Sequence, residues 1–569
     1  MTKLDLAPPT WHFVPADLDA GDIAALEPLF AELDARPIAD VADLERWLHD
    51  ESELMSRIGA EIARRYIAMT CHTDDTTARD RFLAIERDVS PRVKVLADRL
   101  DRRFLALPQR EQLDPQRYAL LVRRRASAVE IFREANTVLQ TEESELQTRQ
   151  QALMGGIVVS FDGRDHTLQQ MSPYAESQDR DVRRRAFLAS LGARRTLWRE
   201  LEEIYDRLIA LRTRMGRNAG FEGYTPLRFR ELQRFDYDVQ TCLRFHDAIE
   251  KAVVPAVVEL NEQRRQRLGL ETLRPFDLEV DLDGRPPLRP FTDEASLKAL
   301  VRDVFRRVDA RFAHEFAVLE DNRLLDLMSR KGKAPGGYQY TLEDVRLPFV
   351  FANSVGTHQD VQTMLHEGGH AFHAILSRND PLLSYRDSPI EFAETASMSM
   401  ELMGLEELGS VYGEADARRA RRKHLEGVLR ILPWIASIDA FQHWVYGHPD
   451  HDHDERRDCW RQIRARFAPG LDWSGLDDAL AMSWVSQGHL FGHPFYYVEY
   501  GIAQIAALQV WQRYRNDKAS AVAAYRNGLS LGGTRPLPQL FEAAGVRFDV
   551  SATMLQRLVA DVLAVIRAD

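Results

Sequence analysis

The stretch VQTMLHEGGHAFHAIL, residues 361–376, decides the fold that this sequence predicts. Just upstream, Thr357 is followed three residues later by Asp360, which is the pattern of a capping box at the start of a helix. Apolar residues then recur at helical spacing, namely Val361, Met364, Leu365, Phe372 and Ile375. We therefore predict a helix in which His366 and His370 lie on one face, one turn apart.

Two imidazoles placed one helical turn apart can both reach one metal ion, at about 2.0–2.1 Å. Glu367 is rotated by about 100° from His366, so it can flank the ion without completing the coordination sphere. That position suits a general base for a metal-bound water. The pentad H-E-x-x-H also arises by chance, however, so the prediction depends on a third ligand.

The two adjacent glycines of the pentad indicate where that ligand comes from. Gly368 and Gly369 each cost a helix about 1 kcal/mol relative to alanine. A helix that keeps both is expected to have a neighbour packed very close to it. We expect that neighbour to be a second helix that carries another ligand.

The downstream stretch YRDSPIEFAETASMSMELM, residues 385–403, offers three glutamates for this role. Ser388 as N-cap, Pro389 at the first helical position and Glu391 in a capping box predict a helix start. Glu394 lies almost one turn further along this helix, and we take it as the third ligand. Glu401 lies about two turns beyond Glu394 and either orients a liganding histidine or forms a surface ion pair.

Two histidines and one carboxylate leave a fourth coordination position open, and an open zinc site is catalytic rather than structural. Zinc polarises a carbonyl and lowers the pKa of a bound water. Glu367 can then accept the proton of that water and pass it to a leaving amine. The predicted chemistry is amide hydrolysis with one zinc ion per chain.

The tetrahedral intermediate of amide hydrolysis carries an oxyanion, which needs further donors. The stretch WVSQGHLFGHPFYYVEYGIAQIAALQVW, residues 484–511, clusters histidines and tyrosines: His489, His493, Tyr496, Tyr497 and Tyr500. By composition alone, these residues are either oxyanion donors or buried aromatics, and both interpretations stay open.

The rest of the chain predicts a large, mainly helical protein with a small β-sheet. Its 569 residues exceed what one core needs, so we expect two lobes, an N-terminal helical lobe over 1–180 and a catalytic domain over 181–569. IVVSFDGRDHTL at 157–168 predicts a strand and turn. LPFVFANS at 347–354 predicts a strand beside the active-site helix, with Pro348 at a sheet edge or at the strand start.

Composition excludes several classes of function. The net charge of −12 disfavours nucleic acid and anionic membrane as partners. No apolar run approaches the ~18 residues of a membrane span, and the N-terminus lacks the pattern of a signal peptide. The three distant cysteines, Cys71, Cys242 and Cys459, predict thiols without disulfides. We therefore expect a cytoplasmic protein, and the sequence leaves monomer and dimer open.

Five stretches, in this order along the chain, resemble the oligoendopeptidase F branch of the thimet-oligopeptidase-like zinc peptidases. They are RNAGFEGYTPLRFRELQRFDYDV, SRKGKAPGGY, FANSVGTHQDVQTMLHEGGHAFH, EFAETASMSMEL and HLFGHPFYYVEYGIAQIAAL. The resemblance spans most of residues 200–515 and is far more specific than the pentad alone. It implies a largely helical fold with two lobes around a deep channel that admits short unfolded peptides.

The resemblance also implies roles for individual residues. It assigns zinc to His366, His370 and Glu394, with Glu367 as the base. It implies that His489, Tyr496 and Tyr500 stabilise the oxyanion and hold the peptide, whereas Tyr497 matches less well because the spacing varies in the family. His493 has no clear counterpart, and His373 fits the pattern with a supporting or packing role. The strand at 347–354 is expected to pair with substrate backbone by edge addition.

The sequence thus predicts a cytoplasmic zinc-dependent endopeptidase, an oligopeptidase that cleaves internal bonds of short peptides. One alternative is a helical zinc carboxypeptidase, which would remove residues stepwise from the C-terminus. The other is a non-catalytic helical scaffold with a chance pentad, which would bind no stoichiometric zinc.

Overall fold

The computed structural model describes residues 9–334 and 336–569, and most of these residues are helical. This confirms the predicted mainly α fold class. The strands form two small sheets. Among the described residues, no helix combines the length and the apolar character that crossing a bilayer requires.

The helices follow one another along the chain. The first thirteen are α1 Ile23–Ala35, α2 Val41–Cys71, α3 Thr76–Ala84, α4 Ser90–Ala106, α5 Pro115–Ile131, α6 Ala135–Gly155, α7 Ser172–Ala175, α8 Arg180–Arg195, α9 Trp198–Asn218, α10 Tyr224–Glu231, α11 Val239–Ala252, α12 Val254–Arg267 and α13 Glu294–Val308. The others are α14 Ala310–Asp321, α15 His358–Ser377, α16 Leu383–Arg386, α17 Ile390–Glu406, α18 Gly409–Tyr412, α19 Glu414–Gly447, α20 His453–Phe467, α21 Asp477–Ala481, α22 Gly488–Gly492, α23 Tyr497–Asn516, α24 Lys518–Ser530, α25 Leu537–Ala543 and α26 Ala552–Ala568. The strands are β1 Val159–Phe161, β2 Arg164–His166, β3 Leu325–Met328, β4 Tyr338–Leu342 and β5 Leu347–Ser354.

The strand and turn predicted at 157–168 form a hairpin. β1 and β2 are antiparallel, with Phe161 opposite Arg164. The two residues between them, Asp162 and Gly163, have φ of 52° and 72°. Asp-Gly is favoured at such a turn because both central residues need positive φ.

The second sheet contradicts one prediction. Its order is β3-β5-β4, so the strand LPFVFANS is central and cannot be the edge to which a substrate adds. Pro348 is tolerated because it lies near the strand start, where β3 has not yet begun to pair; the β3 ladder starts at Val350. Among the described strands β4 pairs only with β5, so β4 is an edge strand of this sheet.

The chain folds into two compact units, each made of three stretches. The first comprises 1–132, 289–421 and 506–548, of which residues 1–8 and 335 lie outside the described part. The second comprises 133–288, 422–505 and 549–569. The predicted division near residue 180 stays a prediction.

The helix predicted from the pentad, α15, lies at the centre of the first unit, against α17 and β5. Its apolar face carries Phe372, whose ring stacks on Phe312 at 4.7 Å and meets Phe305 edge-on at 4.9 Å. The buried surface of these rings fixes the rotation of α15 about its own axis. That rotation decides which way His366 and His370 face.

Candidate functional site

The start of α15 is built as the sequence predicts. Thr357 is the N-cap, and its side chain accepts a hydrogen bond from the Asp360 N–H. The Asp360 side chain in turn accepts from the Thr357 N–H. The predicted apolar residues of this helix are all buried, namely Val361, Met364, Leu365, Phe372 and Ile375. The prediction of this helix, its cap and its buried face is confirmed.

Three side chains from two helices converge beside this face. His366 Nε2 lies 3.2 Å from His370 Nε2, and Glu394 Oε2 lies 3.4 Å from the first nitrogen and 3.7 Å from the second. One ligand atom of each residue falls within 4.8 Å of the other two. Two imidazole nitrogens and one carboxylate oxygen are donors that zinc accepts, and this set leaves one of its four positions open.

Close packing of α15 on α17 brings the glutamate to the histidines. A Cβ added at Gly369 would lie 2.5 Å from Ser397 Cα and 2.7 Å from the Ala396 carbonyl oxygen. A Cβ at Gly368 would meet the Phe305 ring at 2.5 Å. The sequence reasoning that a glycine pair marks a closely packed second helix is therefore confirmed.

The start of α17 differs from the prediction by one residue. The helix begins at Ile390 with Pro389 as its N-cap, and no side chain caps it. Ser388 therefore lies outside the helix, and its hydroxyl donates to the Pro389 carbonyl instead. The predicted capping box with Glu391 is not formed, because proline took the cap position itself.

Further polar groups hold the converging side chains. His366 Nδ1 lies 2.7 Å from Glu401 Oε1, so the ring nitrogen that faces away from Glu394 has a carboxylate partner. The Ser397 hydroxyl donates to Glu394 Oε2 at 3.2 Å. Such contacts fix ring orientation and tautomer, and they raise the basicity of a ligand.

The pKa values of the two histidines are shifted in opposite directions. Burial lowers the pKa of His370 to about 4, so this imidazole is neutral, which is the form that binds a metal. Burial opposes protonation of His366 as well, but its hydrogen bonds to Glu394 and Glu401 raise its pKa. A bound cation would compete with that proton, so metal binding at this site releases protons.

Glu367 lies beside the converging side chains and does not belong to them. Its side chain is buried, and its Oε2 has no hydrogen-bond partner among the described residues. Burial raises its pKa to about 7. A buried carboxylate oxygen without a partner is unusual, since most buried polar groups are paired. This oxygen is available to a group that enters the site.

His373 lies one turn beyond His370 but outside the converging group. Its ring meets Phe392 edge-on at 5.6 Å, and burial lowers its pKa to about 3. Together with His370 it lines an open cavity, which Gln339 and Thr341 of β4 also border. The same cavity is lined by Arg346, Arg378 and Arg386, which sequence reasoning missed.

A second feature missed from the sequence is the clamp around Lys333. Its ammonium group donates to Asp326 Oδ1 at 2.8 Å and to the Met328 carbonyl at 3.0 Å. The Asn353 amide holds the same segment by donating to the Ala334 and Gly336 carbonyls. Lys333, Ala334 and Gly336 of this glycine-rich stretch are thus tied to the sheet beside α15, a role that side-chain spacing alone did not reveal.

The predicted C-terminal residues form a cluster within the second unit. The rings of Tyr496, Tyr497 and Tyr500 lie 5.9, 5.0 and 5.9 Å from the ring of His489. His489 Nδ1 is 2.8 Å from Gln487 Nε2, and Trp434 donates to Gln487 Oε1 at 3.0 Å. The structure therefore brings these four residues together, whereas the two histidines of the pentad and Glu394 belong to the first unit. His493 also lies beside His489, with ring centroids 5.9 Å apart.

The largely helical fold and the H-E-x-x-H helix indicate a peptidase, and comparison with known families agrees. The sequence pattern of Peptidase family M3 matches residues 173–560, and the chain belongs to that family. This confirms the resemblance drawn from the five motifs.

Individual relatives agree with this assignment. The chain is 24% identical to the group B oligopeptidase PepB of Streptococcus agalactiae over 52% of this chain and 48% of the relative. It is 22% identical to the oligopeptidase PepF of Bacillus subtilis over 50% of this chain and 42% of the relative. The alignments thus span about half the length of these curated relatives or less.

Solved structures match over nearly the whole chain. PZ peptidase A in complex with an inhibitor superposes with a TM-score of 0.91 at 27% identity, covering 98% of this chain and 99% of the other. Oligoendopeptidase F from Enterococcus faecium superposes with a TM-score of 0.62 at 13% identity, covering 96% and 98%, which shows likeness of fold alone.

Proposed function

We propose that this protein is a zinc-dependent endopeptidase that cleaves internal bonds of short unfolded peptides, with Glu367 as general base. One observation carries the proposal above all. His366, His370 and Glu394 converge next to the buried Glu367 carboxylate, one oxygen of which has no hydrogen-bond partner among the described residues. Membership of Peptidase family M3 and likeness to oligopeptidases support the same class of reaction.

The proposed roles follow from the donor set. His366, His370 and Glu394 hold one zinc ion, and Glu401 orients His366 through its Nδ1. Zinc bound there would polarise the scissile carbonyl and lower the pKa of a water. Glu367 accepts a proton from the attacking water and delivers it to the leaving nitrogen. Its unpaired Oε2 is the atom available for this transfer.

Substrate is held by backbone pairing and by the C-terminal cluster. An extended peptide adds to a sheet at an edge; β3 and β4 are both edge strands, and β4 is the one that borders the cavity beside His370, so we assign the peptide to β4. We assign His489, Tyr496 and Tyr500 to the oxyanion and the peptide, with Tyr497 as a lesser candidate. The proposed compartment is the cytoplasm, where three cysteines without disulfides are stable.

Metal analysis and kinetics on three variants test the proposal. Glu367→Gln should keep the zinc of this site and lower kcat by roughly 10²- to 10⁴-fold, because it removes only the proton acceptor. His366→Ala should lose both the zinc and the turnover. His373→Gln is the matched control, since it replaces another buried imidazole of α15 and should keep the zinc. Normal cleavage by Glu367→Gln would refute the assignment of the base.

Mass spectrometry of products distinguishes the alternatives. One long unstructured peptide and a set of graded shorter ones are digested and sampled over time. Internal cuts that depend on peptide length support an oligopeptidase, whereas stepwise loss from the C-terminus would establish a carboxypeptidase. A chain without stoichiometric zinc and without any cleavage would be the non-catalytic scaffold.

A further inference from the structure

A second set of metal-binding side chains lies in the second unit, away from the pentad in sequence. Cys242 and His246 are four residues apart on α11, and Asp439 and His443 are four residues apart on α19. Residues at this spacing lie on the same face of a helix, one turn apart. Each of these helices therefore directs a pair of ligand types to one side.

The two pairs meet. One ligand atom each from Cys242, Asp439 and His443 lies within 4.8 Å of the other two. His443 Nε2 is 3.4 Å from Asp439 Oδ2, and His246 Nε2 is 2.8 Å from the same oxygen. Two pairs of side chains that are almost 200 residues apart in sequence are thus brought together, with both histidines at the Asp439 carboxylate.

The side chains of this cluster are largely shielded from solvent, and their hydrogen bonding is incomplete. Cys242, His246 and Asp439 are at most 1% exposed. Aromatic rings surround it, with Phe495 at 5.0 Å from the His443 ring and Phe467 at 6.3 Å from the His246 ring. Asp439 Oδ1 has no hydrogen-bond partner among the described residues. Buried polar atoms are rarely left so, and each such atom calls for an explanation.

A divalent zinc ion supplies that explanation. Zinc binds thiolate, imidazole and carboxylate, whereas magnesium and calcium prefer oxygen ligands. One thiolate and one carboxylate balance its two positive charges, which suits a site closed to water. His246 Nε2 contacts Asp439 Oδ2 and would fix the orientation of this carboxylate, as hydrogen-bonded partners do for many metal ligands.

We propose that α11 and α19 bind a second zinc ion through Cys242, Asp439 and His443, with His246 positioning the Asp439 carboxylate. These three ligands leave the fourth position of the ion open, as at the first site, but Cys242 and Asp439 are buried and keep peptide substrate away, so the ion would hold α11 to α19. The inference does not depend on the proposed peptidase site, because it uses other residues in another unit.

Counting zinc in variants tests the proposal. Protein purified under reducing conditions with added zinc should hold two zinc ions per chain by mass spectrometry of the metal. His366→Ala should retain one, Cys242→Ser should retain one, and the double variant should retain none. Cys459→Ser is the matched control, because Cys459 is another buried thiol and should leave both ions in place. Peptide cleavage should survive Cys242→Ser and fail in His366→Ala, so that the two sites fail separately.

Cobalt provides a readout that does not require any change at the cluster. Cobalt bound to a thiolate absorbs strongly in the near ultraviolet, and the proposed catalytic site contains no sulfur. His366→Ala loaded with cobalt should therefore show the thiolate band, even if Cys242→Ser fails to fold. One zinc ion in the unaltered protein, lost with His366→Ala, together with no thiolate band, would overturn the proposal.

Discussion

Replacing Gly369 with alanine tests the packing that brings the ligands together. The new Cβ would lie 2.5 Å from Ser397 Cα, about 1 Å closer than ordinary van der Waals contact. Because the obstacle is backbone, rotation of a side chain cannot relieve it. We expect α15 and α17 to separate locally, which draws Glu394 away from His366 and His370.

The expected magnitude follows from two opposing contributions. Alanine in place of glycine favours a helix by about 1 kcal/mol. Overpacking a tight interface costs about 1–3 kcal/mol, and backbone obstacles lie at the upper end. We therefore expect a net loss of about 1–2 kcal/mol in the free energy of unfolding. A comparable loss in metal binding corresponds to a zinc affinity lowered roughly tenfold.

Thermal unfolding and zinc competition against a chelator measure the two effects. The matched control is Gly59→Ala, in the interior of α2 in the same unit, where a Cβ meets nothing within 4 Å. The control should gain up to about 1 kcal/mol in stability and keep its zinc affinity. If Gly369→Ala behaved like the control in both assays, the claim that this glycine sets the ligand geometry would be refuted.

Three further predictions concern other residues. Glu401→Gln removes the charge that orients His366 and should weaken zinc binding by about 10- to 100-fold in the same competition assay; unchanged affinity would make Glu401 a bystander. Glu315 is fully buried, and burial raises the pKa of its carboxyl group to about 7. The unfolded chain therefore loses this proton at a lower pH than the folded chain does, and the free energy of unfolding falls as pH rises from about 4.5 to 7. In denaturant titrations, Glu315→Gln should therefore gain about 2–3 kcal/mol on the unaltered protein between about pH 5 and pH 8, and parallel pH profiles would contradict this. Tyr500→Phe should lower kcat more than it raises KM for a peptide, whereas an unchanged rate would move the donor role to Tyr496 or Tyr497.

Local patterns predicted the elements around the pentad. The α15 cap at Thr357, the buried apolar face and the helix packed against Gly369 all follow from rules that act over a few residues. The start of α17 was wrong by one residue because Ser388 and Pro389 can both cap a helix, and the sequence does not rank them. Local rules thus give the existence of an element more reliably than its first residue.

Sheet order could not be predicted in the same way. Pro348 indicated either an edge strand or a strand start, because proline cannot donate to a ladder, and the structure shows the second. The residue lies two positions before the first pair with β3, so no ladder bond to β3 is lost there. Which strand occupies the centre depends on β3 and β4 finding the same partner, and no spacing within LPFVFANS contains that information.

The two clusters of candidate metal ligands differ in how much of each could be predicted from sequence spacing. In H-E-x-x-H the two proposed ligands and the proposed base lie within five residues, so the helix alone places them, and only Glu394 had to be found elsewhere. In the second cluster each helix contributes a common spacing, Cys242 with His246 and Asp439 with His443, and neither pair is distinctive by itself. Only the fold brings α11 against α19, and it leaves Asp439 Oδ1 without a hydrogen-bond partner among the described residues. The proposed second site is therefore assembled from ordinary helical pairs, whereas the proposed catalytic site, which must also position a base, leaves a recognisable local pattern.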